Sequence, residues 1–352
     1  MNRRTTTLTL TGAILVVLVA VAALLPVPYV VYSPGPMENT LGERDGQPVI
    51  TIEGADTYDT DGVLNLTTVG VTPADARLDL LSALQAWVDP ERAIVPRELV
   101  YEPGVTSEET RQRNAQLLER SQETAKVAAL RELGYEVPEA VVIELVVDGS
   151  PADGILEPGD IVQQVGGEPV TTPQDVVDAV RSREPGDTVE LVIQRESRER
   201  TVTVGTEAAP AEDGGHAMVG AGVGFGYEFP VRIDVNIDQR IGGPSAGMVF
   251  ALAIYDTLTP GALLAGMHVA GTGEITGDGE VGAIGGIQQK IAAAAGDGAE
   301  LFLAPAANCD DVVTARNGEM TVVSIETLDD AIAAVESAAN GDTMALPSCP
   351  VT

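Results

Sequence analysis

Two residues of this chain have the types and the setting to act together as a nucleophile and its base. Ser245 lies in the sequence GGPSAG at residues 242–247, and Lys290 ends GGIQQK at residues 285–290. The 352-residue chain contains only one other lysine, Lys126. A serine hydroxyl needs a neighbouring base to remove its proton, and lysine can be that base when burial lowers its pKa from roughly 10.4.

The local sequence places both side chains on helices. Pro244 suits the first turn of a helix that continues through the apolar residues 248–254, so Ser245 would lie near unpaired N–H groups that can bind an oxyanion. Lys290 lies on a second helix with Ile287, Ile291 and Ala294 at helical spacing, which makes one side of it apolar. The alternative is that Ser245 only caps its helix and Lys290 is a surface cation.

Three segments extend this pattern. GPSAG at 243–247, GTGEI at 271–275 and GAIGG at 282–286 followed by Lys290 resemble, over roughly residues 220–340, the proteolytic domain of Lon-type serine proteases. The resemblance implies a catalytic dyad of Ser245 and Lys290. It also implies that the active site is lined by Gly243, Pro244, Ala246 and Thr272. The family often has an aspartate three residues before the serine, where this chain has Gly242.

The composition argues against several classes of binding partner. The formal net charge of −33 argues against nucleic acids and anionic lipid surfaces. The phosphate-binding sequence Gly-x-x-x-x-Gly-Lys-Ser/Thr is absent from the sequence, so we expect no nucleotide and no other cofactor. His216 and His268 are isolated, and no metal site is predicted. Cys309 and Cys349 could form a disulfide outside the cytoplasm, tying the C-terminal tail to its domain.

The N-terminus predicts a membrane anchor over residues 1–32. Arg3 and Arg4 are followed by no charged residue until Glu38, and residues 8–25 are almost wholly apolar. This pattern favours a single transmembrane helix with the N-terminus in the cytoplasm and the remaining domains outside. A cleaved signal peptide is the alternative.

Residues 33–124 are expected to pack with the proteolytic domain. They predict short strands at 49–52 and 63–67, and then an amphipathic helix whose buried stripe is Leu80, Leu81, Leu84 and Trp87. A long helix should begin at the capping box of Thr106 and Glu109 and end at Gly134.

A second resemblance covers residues 125–207. The sequences SPA at 150–152, GDIV at 159–162 and GG at 166–167 are similar to PDZ domains attached to bacterial proteases. In such domains a peptide adds as a strand to a sheet edge. The resemblance places the carboxylate-binding loop at Leu133, Gly134 and Tyr135. Residues 208–218 read as a linker, 219–340 as the Lon-like domain and 341–352 as a tail.

The expected fold is therefore multidomain: a transmembrane helix, a PDZ-like β-barrel with helices, and an α/β (α+β) proteolytic domain. The whole arrangement resembles bacterial membrane-anchored Lon-like proteases with a PDZ domain. It implies an ATP-independent serine endopeptidase that cleaves unfolded polypeptides and forms a homo-oligomer, a hexamer by analogy. Two alternatives remain open: a non-catalytic, membrane-tethered PDZ scaffold, and a precursor that cleaves itself.

Overall fold

The computed structural model describes residues 3–195, 198–210, 214–343 and 346–350. Parts of the predicted cytoplasmic tip, linker and tail lie outside these residues. The chain divides into two compact units, one made of Met1–Leu133 with Ile233–Thr352 and the other of Gly134–Arg232.

The regular elements are numbered along the chain. The helices are α1 Arg3–Ala23, α2 Leu80–Val88, α3 Ser107–Glu132, α4 Pro173–Arg181, α5 Gly247–Leu258, α6 Ile287–Asp297, α7 Cys309–Val312 and α8 Leu328–Ala339. The strands are β1 Pro26–Val27, β2 Tyr29–Asn39, β3 Glu43–Arg44, β4 Gln47–Pro48, β5 Ile50–Glu53, β6 Val63–Val71, β7 Leu78–Asp79, β8 Ala93–Pro96, β9 Glu139–Val146, β10 Ile161–Val165, β11 Glu168–Pro169, β12 Thr188–Arg195, β13 Arg198–Gly205, β14 Glu207–Ala208, β15 Ala217–Met218, β16 Ala221–Tyr227, β17 Arg232–Val235, β18 His268–Gly271, β19 Glu274–Ile275, β20 Val281–Gly282, β21 Leu301–Pro305 and β22 Thr321–Ile325.

The first unit is built on a mixed sheet with the strand order β22-β21-β18-β6-β2-β8. The strands from β22 to β6 run parallel, whereas β2 is antiparallel to β6 and β8 is antiparallel to β2. The N-terminal segment therefore supplies half of the sheet that carries the proteolytic motifs. Parallel strands connected by helices confirm the mixed helix and sheet architecture.

Helix α3 confirms the predicted capping box. The Thr106 side chain accepts a hydrogen bond from the Glu109 N–H, and the Glu109 side chain accepts one from the Thr106 N–H. The helix ends before Gly134, whose φ of 81° is the left-handed conformation that glycine adopts readily. This helix packs against α5.

The predicted transmembrane anchor is not supported. Helices that combine the length and apolar character needed to cross a bilayer are absent from the described ranges. Helix α1 spans Arg3–Ala23, and threonine occupies five of residues 5–11. The apolar sequence beyond it does not extend the helix, because Val30 is a buried residue of β2.

The predicted buried stripe of α2 is wrong. Ala83 and Ala86 face the interior, whereas Leu81, Leu84 and Trp87 are 51%, 47% and 74% exposed. Helical periodicity shows that a helix has two faces, but here the small alanines approach the sheet closely and the large residues point outward.

The second unit has its own sheet, in the strand order β13-β12-β10-β9-β16, around a core that includes Ile143, Val162 and Ile193. The predicted boundary at 208–218 is wrong, because β16 pairs with β9 along its whole length and residues up to Arg232 belong to this unit. The sequence of β16, AGVGFGY, has a glycine at every second position and therefore gives little strand signal.

Candidate active site

Ser245 lies on a loop, two residues before α5 begins at Gly247. The prediction that Pro244 opens this helix is therefore wrong. The helix itself is fixed firmly, because each residue from Met248 to Ile254 is fully buried. A serine directly before such a helix is held by a rigid element.

Lys290 lies in the first turns of α6, which begins after Gly286. Gly286 has a φ of 69°, and a Cβ at this position would lie 3.0 Å from a methyl group of Val69. The turn therefore requires glycine for both its conformation and its close approach to β6. The glycine pair before Lys290 thus sets where its helix starts.

The structure brings the two predicted residues into contact. Lys290 Nζ is 2.7 Å from Ser245 Oγ and 2.8 Å from Thr272 Oγ1. Only 1% of the Lys290 surface is exposed. Burial lowers the pKa of Lys290 to about 7, against a smaller opposing effect from the negative charge of Glu274. A lysine in this state can accept a proton at neutral pH.

Thr272 follows β18 and links the two residues. Its hydroxyl donates to the Ser245 carbonyl oxygen at 2.9 Å, and the Gly273 N–H donates to the same oxygen at 2.8 Å. Because the Thr272 hydrogen is used in this way, its oxygen can only accept from Lys290. Thr272 therefore orients both the serine main chain and the lysine amine.

The backbone N–H groups around Ser245 differ in whether they already have an acceptor. The Gly243 N–H already donates to the Asn114 carbonyl at 2.8 Å, and Pro244 has no N–H. Across the described parts of the chain, no residue accepts a hydrogen bond from the N–H of Ser245 or Ala246. The N–H groups of Ser245 and Ala246 are therefore available to an oxyanion, whereas the N–H of Gly243 is not.

Asn308, to which the sequence analysis assigned no role in the site, holds the loop before α6. Asn308 is buried, and its amide oxygen accepts from the Ile284 N–H while its amide nitrogen donates to the Ile284 carbonyl, both at 2.9 Å. Cys309 follows directly and forms a disulfide with Cys349. The position of Asn308 in a loop after Pro305 was the only signal available.

The histidines lie elsewhere in the chain. His268 lies at the start of β18, and its Nε2 is 2.9 Å from Asn65 Nδ2. The backbone N–H of His268 donates to a carboxylate oxygen of Glu300. His216 belongs to the second unit. In the described part of the chain, no group of histidine, cysteine and carboxylate residues is arranged to hold a metal ion.

The predicted peptide-binding loop of Leu133, Gly134 and Tyr135 leads into β9, which is not the last strand of its sheet. Leu133 caps α3, Gly134 is the turn after it and Tyr135 precedes β9, which has β10 and β16 as neighbours on its two sides. The strand at the end of the order is β16, and α4 packs beside it. Sequence reasoning missed β16 because it assigned residues 219–232 to the proteolytic domain.

Comparison with known families agrees with both parts of this description. Residues 239–337 match the Lon protease (S16) C-terminal proteolytic domain, and residues 105–206 match the PDZ domain. The chain carries a Lon-type proteolytic domain and a PDZ domain. The PDZ match ends before β14, whereas the compact unit extends to Arg232.

Individual relatives match parts of the chain. A Lon protease of Paraburkholderia phytofirmans is 42% identical over 94 residues, which are 26% of this chain and 11% of that protein. A Lon protease of Roseiflexus castenholzii is 36% identical over 30% of this chain and 14% of its own length. A probable periplasmic serine endoprotease DegP-like of Pseudomonas fulva is 34% identical over 24% of this chain and 18% of its own.

Among solved structures, the PDZ domain of an SdrC-like protein from Listeria monocytogenes is similar at 23% identity and a TM-score of 0.23, covering 24% of this chain and 86% of that one. The chain spans 11% to 18% of the three curated relatives described above.

Proposed function

We propose that this chain is a serine endopeptidase in which Ser245 is the nucleophile and Lys290 is its base. The observation that supports the proposal most directly is the 2.7 Å contact between Ser245 Oγ and the Nζ of a lysine that is 1% exposed. A serine that only caps a helix needs no buried amine beside it, and a surface cation would not be buried.

The hydrogen-bond directions around Thr272 prepare the amine for this role. Neutral Lys290 has two N–H groups and one lone pair, and one of its N–H groups donates to Thr272 Oγ1. Its lone pair is then free to accept the Ser245 proton across the 2.7 Å contact. Deprotonation leaves Ser245 Oγ ready to attack a peptide carbonyl.

Ser245, Lys290 and the backbone N–H groups also complete the proposed catalytic cycle. The Ser245 oxygen bonds to the carbonyl carbon while its proton passes to Lys290, and the oxyanion accepts from the N–H groups of Ser245 and Ala246. The Lys290 ammonium returns the proton to the leaving amine as the peptide bond breaks. Water then gives a proton to Lys290 and attacks the acyl carbon, and the proton returns to Ser245 Oγ as the product acid leaves.

The substrates would be unfolded or flexible polypeptides, cleaved without ATP. The sequence has no phosphate-binding Gly-x-x-x-x-Gly-Lys-Ser/Thr motif, which supports cleavage without an ATP-driven unfolding step. A homo-oligomer, with a hexameric ring as the form suggested by analogy, completes the proposal. Light scattering coupled to size-exclusion chromatography measures its size.

The PDZ domain would bind peptides along β16. This strand is the last in its sheet, and Phe225 on it is 60% exposed, so an extended peptide could pair with its backbone beside α4. In the full-length Ser245→Ala protein, Phe225→Ser should weaken the binding of a labelled peptide measured by fluorescence anisotropy. The exchange Phe225→Ser in the active protein should leave hydrolysis of a small ester unchanged.

The proposed location is outside the cytoplasm. The disulfide between Cys309 and Cys349 supports this, because disulfides persist in oxidising compartments and are rare in the cytosol. Fractionation of cells that express the chain, followed by alkylation of free thiols, tests the location and the disulfide together.

The test of the enzyme uses two single variants. Ser245→Ala and Lys290→Ala should each abolish cleavage of an unfolded protein such as casein, with circular dichroism unchanged. A serine-directed phosphonate should label the wild type and not Ser245→Ala. Cleavage by Lys290→Ala at the wild-type rate would refute the assignment of the base, and a wild type that neither cleaves nor is labelled would leave the scaffold alternative.

A further inference from the structure

Helix α3 contacts the loop that carries Ser245. The Ser121 hydroxyl donates to the Pro244 carbonyl oxygen at 2.8 Å, and Ser121 is 5% exposed. About two turns earlier on the same helix, the Asn114 carbonyl accepts from the Gly243 N–H. Helix α3 therefore binds one donor and one acceptor of the loop, the Gly243 N–H and the Pro244 carbonyl, in the two residues before the nucleophile.

The fit between the helix and the loop leaves no room for larger residues. A Cβ at Gly242 would lie 2.8 Å from the Asn114 Cβ, and a Cβ at Gly247 would lie 2.7 Å from Ser121 Oγ. Separations below 3.0 Å force one of the two groups to move. The glycines on either side of Ser245 thus allow α3 to approach, in addition to any room that they give a substrate.

Because the peptide group is planar, the Ser121 contact also fixes the direction of the Ser245 N–H. The Pro244 carbonyl and the Ser245 N–H belong to one trans peptide group, in which the two bonds point in opposite directions. Because Ser121 holds the Pro244 carbonyl towards α3, the Ser245 N–H must point away from α3. The Ser245 carbonyl is fixed in the same way by Thr272 and Gly273, which turns the Ala246 N–H away from β18.

We propose that Ser121 is a positioning residue that sets the direction of the Ser245 N–H as an oxyanion donor. The proposal rests on the function proposed above. It adds Ser121 to the site, a residue 123 positions before Pro244, whose carbonyl it binds. Ser121 touches no reacting atom. It acts through the peptide plane between Pro244 and Ser245, so its loss should weaken the binding of the transition state and leave the binding of the substrate unchanged.

The test compares Ser121→Ala with Thr124→Ala in the full-length chain. Thr124 is a matched control, because it lies on the same helix and its hydroxyl donates only to the helix's own carbonyls of Arg120 and Ser121. We expect Ser121→Ala to lower kcat for a peptide substrate by about tenfold or more with KM unchanged, since loss of an oxyanion donor costs about 10² to 10³ in rate. Thr124→Ala should stay within about twofold of the wild type.

Two further readouts separate positioning from a loss of folded protein. Affinity for a peptide aldehyde, which forms a tetrahedral adduct with the serine, should fall by the same factor as kcat. The active fraction, titrated with the phosphonate, and the pH midpoint of activity should both stay at their wild-type values, because Lys290 remains buried. A lowered active fraction with a normal kcat per active site would show a structural role only and overturn the proposal.

Gly242→Ala provides a second variant that keeps Ser121. Its methyl group would push the loop away from Asn114, so the same fall in kcat and in aldehyde affinity is expected. Normal kcat and aldehyde affinity in both Ser121→Ala and Gly242→Ala would overturn the positioning role and leave the endopeptidase proposal standing. A wild type that neither cleaves nor is labelled overturns both.

Discussion

The pH dependence of the proposed activity follows from the burial of Lys290. The difference between its ordinary pKa of 10.5 and the value of about 7 in the folded chain corresponds to about 5 kcal/mol against the charged form. If neutral Lys290 is the base, kcat/KM should rise with pH and level off above pH 8. At pH 6 about one tenth of the lysine is neutral, so the rate should be about a tenth of the plateau.

Two assays measure this titration independently. The first is kcat/KM for a small peptide ester between pH 5.5 and 9.5 at constant ionic strength. The second is nuclear magnetic resonance of protein labelled with ¹⁵N-lysine, which is simple here because the chain has only two lysines, Lys126 and Lys290. Lys290→Ala assigns the Lys290 signal. A midpoint above pH 9 in both assays would refute the argument that burial makes this lysine a base.

The same burial makes a prediction about stability. The folded pKa of Lys290 is lowered, so between about pH 7 and 10.5 the unfolded chain binds more protons than the folded chain and stability rises with pH. At pH 7 and below, the folded chain bears the full penalty of a buried charge. Lys290→Met should therefore abolish activity and raise the free energy of unfolding at pH 7, measured by urea denaturation. A less stable Lys290→Met protein would contradict the desolvation argument.

Three further predictions concern other groups. Glu274→Gln removes the charge that raises the pKa of Lys290, so the midpoint of the pH–rate profile should move to lower pH, by less at high salt. Burial raises the pKa of Asp256 from 3.8 to about 6, and its Oδ2 has no partner in the described residues. Because the folded pKa is raised, stability is lost as pH rises through 6. Asp256→Asn should therefore stabilise the fold at pH 8 by up to about 3 kcal/mol and have little effect at pH 4, as measured by thermal unfolding at the two pH values. Reduction of the disulfide between Cys309 and Cys349, which closes 40 residues, should lower the free energy of unfolding by about 4 kcal/mol, and equal stability of reduced and oxidised protein in urea would contradict this.

The sequence was sufficient to predict the pairing of the central residues. Ser245 and Lys290 each lie beside glycines whose conformation or close packing the structure requires, and local motifs of this kind are readable without a fold. Thr272 was predictable from the resemblance, although its double role towards Ser245 and Lys290 was not. Elements with strong local signals, such as the capping box of Thr106 and Glu109, were also predicted correctly.

Contacts between distant segments were not predictable. Ser121 lies in an ordinary helical sequence, and nothing around it indicates that its hydroxyl meets Pro244. The apolar residues of α2 define a face, but only the position of the sheet decides that Ala83 and Ala86 are buried in place of Trp87. Strand β16 gave no usable signal because alternating glycines neither favour a strand nor mark one of its faces.

The late start of α5 has a direct consequence for the chemistry. Had the helix begun at Pro244, the carbonyl groups around Ser245 would belong to a regular helical turn; because it begins at Gly247, they point to partners outside the helix. Pro244 is held by Ser121, and Ser245 is held by Thr272 and Gly273. Residue 242 is glycine and carries no carboxylate to organise the loop, so its geometry rests on neutral hydrogen bonds. Neutral partners suit this site, because a second carboxylate near Lys290, in addition to Glu274, would raise the pKa of Lys290 further and weaken it as a base at neutral pH.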